Sequence, residues 1–266
     1  MEPSGGGLPA VSRVGAGAPF RWLGGAWRDL WTSPLPCLSY GLALSLFSMW
    51  LALTVYRTSA SFWIFALACG FVFVAPMLAM GLYEAGRLLE RGERPTLGRM
   101  VFVRSALRQD LAYLGLALLL VFLIWGGVAQ VVYGLSTYQI HRTVPDFLAF
   151  ALGDRNGRVM VVVGSIIGGA IAYLTFCFVA VSAPMLLDRR NDMFVAMITS
   201  VRAVTRNFGA MTLWAALIAA LVLLAALSGF LGLILVFPWL GLASWRAYRD
   251  LVPSGASTVN RASAAG

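Results

Sequence analysis

Three charged residues in this sequence follow prolines that lie inside apolar runs. Glu84 comes eight residues after Pro76, Asp188 four after Pro184, and Arg246 eight after Pro238. Brought together, they would form a charged cluster just inside a membrane face. Taken singly, they are boundary charges, since a charge at the bilayer centre costs about 2.5 to 3.5 kcal/mol on insertion scales. The prolines carry chemistry of their own. Each removes one helical hydrogen bond and clashes with the carbonyl four residues earlier, here Val72, Ala180 and Ile234. In lipid such a carbonyl must be satisfied within the protein. Pro76, Pro184 and Pro238 therefore read as structural kinks that let helices pack and leave the membrane, or as a gate around a central seam.

The other reactive residue types are sparse. His141 is the only histidine and falls in "STYQIHRTVPDF", where it reads as a solvated loop residue. Cys37, Cys69 and Cys177 are too few and scattered for a disulfide framework. No Walker A, GxSxG, HExxH or GxGxxG pattern is present. The expectation is no catalytic residue, no metal site and no cofactor.

The elements that must position these residues are read from composition. The chain has 266 residues, 60% hydrophobic and 12% charged, with mean hydropathy +0.82. Soluble domains hold about 25% charged residues, so the sequence describes an integral membrane protein. Net charge is +9, and all twenty basic residues are arginine. They lie between apolar runs and form no single patch, which argues against a nucleic-acid partner. A crossing helix needs about 20 apolar residues. Five runs qualify: Leu38 to Tyr56, Phe62 to Tyr83, Leu111 to Tyr133, Val159 to Leu187 and Phe208 to Trp245. The last is long enough for two crossings, and "LSGFLG" near its middle carries a Ser-Gly turn signal. Six transmembrane helices are predicted. With both termini cytoplasmic, sixteen of the twenty arginines lie inside, as the positive-inside rule requires.

An internal repeat is also visible. "YGLALSLF" in the first span is echoed by "LGLALLLVF" in the third, and "FVFVAPML", "FVAVSAPML" and "LILVFPWL" mark the even spans. An amphipathic stretch precedes each odd span. In "FRWLGGAWRDLW", Phe20, Leu23, Trp27, Leu30 and Trp31 share a helical face. Before the fifth span, Met193, Phe194, Met197, Ile198, Val201 and Val204 form the stripe. The predicted architecture is all-α: three parallel two-span repeats (about 20–87, 97–188 and 192–251), each preceded by an interfacial helix. The single membrane domain covers 20–252, between flexible cytoplasmic tails at 1–19 and 253–266. Trp22, Trp27, Trp31, Trp63 and Trp245 sit where interfacial anchors belong. "GSIIG" (Gly164 to Gly168) suits close helix contact.

"RWLGGAWRDLWTSPLPCLSYGLAL", "FVFVAPMLAMGLYEAGRLLERGERP", "SAPMLLDRRNDMFVAMITSVRAV" and "FPWLGLASWRAYRDLV" resemble the bacterial integral-membrane family called domain of unknown function 2189, from about Phe20 to Val252. The resemblance implies a bacterial inner-membrane protein and supplies no catalytic residues. Some members carry the name cytochrome c oxidase subunit I, yet one loop histidine cannot supply the axial ligands that haem requires.

The expectation is a non-enzymatic membrane component that binds lipid or a partner. Its surroundings are the lipid bilayer, with a membrane-protein partner or a second copy of the chain. The alternative is a channel or transporter for a neutral or amphiphilic solute, because no ionisable residue lies centrally in any predicted span. An oxidase-associated subunit without haem ligands ranks third.

Overall fold

The computed structural model describes residues 8–57, 61–103, 109–139, 141 and 143–253. Within these, only the backbone is described for residues 61–65, 68, 69 and 72. Every regular element among the described residues is helical: α1 (Ala18–Thr32), α2 (Pro34–Arg57), α3 (Ser61–Leu78), α4 (Met80–Glu90), α5 (Leu97–Val101), α6 (Gln109–Ser136), α7 (Val144–Gly153), α8 (Arg155–Val179), α9 (Ser182–Asp188), α10 (Met193–Arg206), α11 (Phe208–Leu227) and α12 (Leu233–Leu251).

Four stretches among the described residues are long and apolar enough to cross a bilayer: Pro34–Arg57, Gln109–Ser136, Arg155–Asp188 and Phe208–Leu227. Their surfaces show that role. Leu46, Phe47, Leu120, Ile124, Ile166 and Leu223 all stand exposed, a pattern that water would penalise and lipid favours. The 38-residue apolar run is indeed divided, and the division is at the Ser-Gly turn. Gly229 and Phe230 take positive φ (67° and 69°). The Ser228 hydroxyl donates to Ala225 O and accepts from Gly232 N–H, both at 2.8 Å. The last carbonyls of α11 are thereby occupied before α12 turns back.

α12 is the central element. It packs on α1, α2 and α4, with further contacts to α9 and α11. Phe237, Leu240, Trp245 and Tyr248 are buried along it. The other strong pairings are α3 on α6, α6 and α7 on α8, α5 on α4, and α10 on α8 and α9. The N-terminal segment joins the end of α12: Ser12 N–H donates to Leu251 O at 2.9 Å. Val14 N–H donates to Asn207 Oδ1 at 2.8 Å, and Asn207 Nδ2 donates to Ser12 O at 3.0 Å. Both ends of the membrane domain therefore share one face, called here the terminal face. The expected tail at 1–19 is corrected from residue 8 onward, because the buried Asn207 amide and Val11 tie this segment down.

The three prolines behave differently from one another. Pro76 and Pro238 lie inside continuous helices. The bend after Pro76 comes at Ala79, and there Tyr40 of α2 donates its hydroxyl to the freed Leu78 carbonyl at 2.7 Å. Before Pro184 the helix breaks at Ala180–Val181. The Val181 N–H donates to Ser200 Oγ at 3.1 Å, and Ser182 Oγ donates to Phe178 O at 2.7 Å. At Pro238 the Ile234 carbonyl faces Gly41 of α2. Three equivalent kinks were expected; instead the helix is interrupted after Pro76 and before Pro184 and stays continuous through Pro238.

The amphipathic stretches are helices, as their periodicity predicts, but their faces are rotated from the expected ones. α1 buries Trp22, Leu23, Ala26 and Leu30 while Phe20, Trp27 and Trp31 stand exposed. α10 buries Ala196, Thr199, Ser200, Ala203 and Val204, and exposes Phe194 and Ile198. On α10 the small residues face the protein, where helices can approach closely, and Phe194 and Ile198 are left outward. The loop containing His141 leads into α7, and His141 is not a solvated residue. Its ring stacks on Phe150 at 4.4 Å, with Nδ1 3.0 Å from the Tyr133 hydroxyl.

Candidate functional site

Two features could serve function. The first is an apolar seam enclosed by α3, α4, α8, α11 and α12. A cavity of about 110 Å³ lies between Phe71 and Tyr83 on one wall and Phe237 to Ser244 on the opposite wall. Trp214 and Ile218 of α11 and Thr175 and Phe176 of α8 close the sides. Of the three prolines only Pro76 lines it. A second cavity of about 70 Å³ begins where the first ends. Phe71 and Val222 line both, and the second continues between α2 and α12 to Val55 and Phe230. The two adjoin at Phe71 and Val222. Among the described residues no charged one lines either cavity.

The second feature is a charge network on the terminal face, around a cleft of about 440 Å³ lined by Trp22, Asp29, Glu90, Trp245, Arg246 and Arg249 among others. Arg246 grips Asp29 of α1 with two bonds, Nε to Oδ2 at 2.6 Å and Nη2 to Oδ1 at 2.7 Å. Arg249 bonds Glu90 of α4 at 2.9 Å and lies 3.5 Å from Asp188 of α9. Tyr248 donates to Asp188 at 2.8 Å. Trp22 Nε1 donates to Asp250 at 3.0 Å, and Trp245 Nε1 to Glu90 at 3.3 Å. Each arginine in this network is met by a carboxylate, so it fastens α1, α4 and α9 to α12 instead of presenting free charge. In the turn between α4 and α5, the hydrogen bond from Arg99, followed by its charge, holds the Glu93 carboxyl below the usual glutamate range.

The expected cluster of Glu84, Asp188 and Arg246 is therefore only partly assembled. Asp188 and Arg246 belong to the terminal network but do not touch. Glu84 is 5% exposed and pairs one turn along α4 with Arg87 at 2.6 Å. Sequence reading missed Asp29, Glu90, Arg249 and Tyr248. The available signal was Arg246 with Arg249, one turn apart at the end of an apolar run. Of the expected anchors, Trp27 and Trp31 are exposed and stack edge to face at 5.7 Å. Trp22 and Trp245 are 3% exposed and so cannot anchor at the interface; their indoles instead reach acids within the protein. The Trp63 side chain lies outside the described residues. Gly168 of the GxxxG pair seats the Trp125 ring, since a Cβ there would fall 2.7 Å from it, and Trp125 Nε1 donates to Ala66 O at 2.9 Å.

The helical fold, apolar surfaces and bilayer-length elements define an integral membrane protein. Residues 64–188 match the family model described as a predicted integral membrane protein, DUF2189. The match runs from within α3 to the end of α9, a shorter extent than the resemblance from Phe20 to Val252. No curated protein and no solved structure gives a significant match.

Proposed function

We propose that the chain is a non-enzymatic component of the bacterial inner membrane that holds a lipid-like molecule in the apolar seam. In this reading α2, α3, α6, α8, α11 and α12 all cross the bilayer, as three like-oriented hairpins with both termini cytoplasmic. The pattern of neighbours supports a cyclic repeat. α3 lies on α6, α12 lies on α2, and α8 meets α11 through a 2.9 Å bond between Tyr173 and Thr212. The interfacial helices follow the same rule: α1 packs on α12, α5 on α4 and α10 on α9. α3 falls short of the other spans in described length, and α12 carries Arg246, Arg249 and Asp250 at its terminal end.

The single observation that carries the functional reading is the chargeless seam between these hairpins. An apolar void at membrane depth offers no gain to water, which needs two to four polar partners, and favours a hydrocarbon occupant. Exposed Phe20, Trp27 and Trp31 on α1 and Phe194 and Ile198 on α10 lie parallel to this reading, as faces suited to the acyl boundary. Native mass spectrometry of protein released from mild detergent should show bound lipid that Phe71→Trp or Val222→Trp expels. Lipid-free protein throughout would reject the proposal.

Transport of a neutral amphiphile is the second reading, favoured by the alignment of the two cavities across Phe71 and Val222. It requires flux in proteoliposomes that increases when Phe71 is shortened to Ala.

A further inference from the structure

Buried polar groups in proteins almost always find hydrogen-bond partners, and each exception calls for a cause. Four tryptophan N–H groups in this bundle obey the rule: Trp22 to Asp250, Trp125 to Ala66 O, Trp239 to Leu23 O and Trp245 to Glu90. Trp214 is the exception. It is 2% exposed and packs edge to face with Trp22 at 5.7 Å, but its N–H makes no hydrogen bond among the described residues. The tyrosines repeat this contrast. Tyr40 donates to Leu78 O and Tyr248 to Asp188, whereas Tyr83, 5% exposed, has a hydroxyl without a partner among the described residues. The hydroxyl of the half-buried Ser244 is also unpaired among the described residues. All three line the first cavity of the seam.

Their positions along the chain place them at one end of that cavity. Tyr83 follows Phe71 by 12 residues towards the terminal face. Ser244 follows Phe237 in the same direction, and Trp214 precedes Val222 on the antiparallel α11. The seam thus carries these three groups at its terminal end, while from Phe71 and Val222 onward Ser48 is the one polar side chain among the described residues that line it. An indole N–H is a donor only, while hydroxyls can donate or accept. A ligand that satisfies all three must present an acceptor oxygen. It must also be uncharged there, because no cation lines the cavity to offset the cost of burying a carboxylate or phosphate.

Building on the lipid-like reading above, we infer that the seam binds a single hydrocarbon chain headed by an uncharged ester or ketone carbonyl. That oxygen sits among Tyr83, Trp214 and Ser244, and the chain runs past Phe71 and Val222. The volumes of about 110 Å³ and 70 Å³ leave room for part of one chain.

The test uses the full-length protein in detergent micelles with a monoacylglycerol bearing a mid-chain diazirine, cross-linked by light and mapped by peptide mass spectrometry. Labelling should concentrate near Phe71 and Val222 and saturate. Unlabelled monoacylglycerol, or phosphatidylglycerol contributing one ester-linked chain, should compete; an alkane or fatty-acid carboxylate of equal length should compete at least tenfold less well. Which of the two esters competes better distinguishes a free single-chain lipid from a bilayer lipid, and either result supports the inference. Tyr83→Phe and Ser244→Ala should each raise the competing concentration about fivefold, as loss of one neutral hydrogen bond predicts, without lowering the thermal midpoint. Seam labelling that alkane displaces as well as ester, or that both variants leave unchanged, overturns the carbonyl inference while keeping a lipid-filled seam. Equal competition by the carboxylate overturns its neutrality. Absence of labelling in the seam overturns both readings.

Discussion

Gly41 of α2 and Ile234 of α12 meet backbone to backbone. The Ile234 carbonyl is the one that Pro238 leaves without its helical N–H, and the hydrogen of Gly41 occupies the place where any side chain would collide with that oxygen. A Cα–H to carbonyl contact of this kind offsets part of the missing bond. It also lets α2 and α12 approach as closely as membrane helices do at small residues.

Gly41→Ala should therefore push α2 off α12 and lower stability by about 1 to 3 kcal/mol, the cost of overpacking. Gly127→Ala, where a Cβ meets nothing within 4 Å, is the matched control and should be neutral or slightly stabilising. Thermal midpoints in one detergent would compare them. Equal midpoints for the two variants would show that the contact is not tight.

Ser200 repairs the break before Pro184 by accepting from Val181 N–H. Ser200→Ala leaves a buried N–H without a partner and should cost about 1 to 3 kcal/mol. Ser200→Thr keeps the oxygen and should recover part of the loss. Hydrogen exchange at Val181 should accelerate in the alanine variant alone.

Two well-formed ion pairs should respond to very different extents when one member is removed. Arg246 and Asp29 are 42% and 21% exposed in their side chains, so Arg246→Gln should cost no more than about 1 kcal/mol. Glu84 and Arg87 are 6% and 19% exposed, and Glu84 Oε2 and Arg87 Nε have no further hydrogen bond. Arg87→Gln strands a buried carboxylate and should cost about 3 kcal/mol or more. Chemical denaturation in mixed micelles would rank the two.

Tyr248→Phe removes the shortest bond to Asp188, leaving Arg249 at 3.5 Å and Arg189 at 3.9 Å. A loss of about 1.5 to 3 kcal/mol is expected for a hydrogen bond to a charged acceptor. Loosening of α9 should follow, read as faster proteolysis after Arg189 or Arg190.

Much of this fold was legible because membrane helices follow composition. The division at Ser228 and Gly229 was visible, since an apolar run far longer than one crossing must fold back, and its Ser-Gly pair is where it can. The faces of α1 and α10 were not. In water an apolar stripe points inward, but here lipid competes for it, and Ala196, Ser200 and Ala203 take the protein side while Phe194 and Ile198 do not. The proline breaks were equally hidden, because their positions depend on Tyr40 and Ser200, which reach in from other helices. The charge network was half legible. Asp188 and Arg246 were marked by their place after prolines, whereas Asp29 and Glu90 are recruited only once α1 and α4 dock on α12.

The central claim is that α3 crosses the bilayer along with the longer spans, so that the chain returns to the terminal face after each hairpin. Single cysteines replacing Arg57, Arg94, Asn156 and Arg206, in a chain whose natural cysteines are replaced by serine, can be labelled in intact cells with a membrane-impermeant maleimide. Six crossings predict labelling from outside at 57 and 156 and protection at 94 and 206. Labelling at 57, 94 and 206 with protection at 156 would mean that α3 does not cross, contradicting the three hairpins and the seam between them.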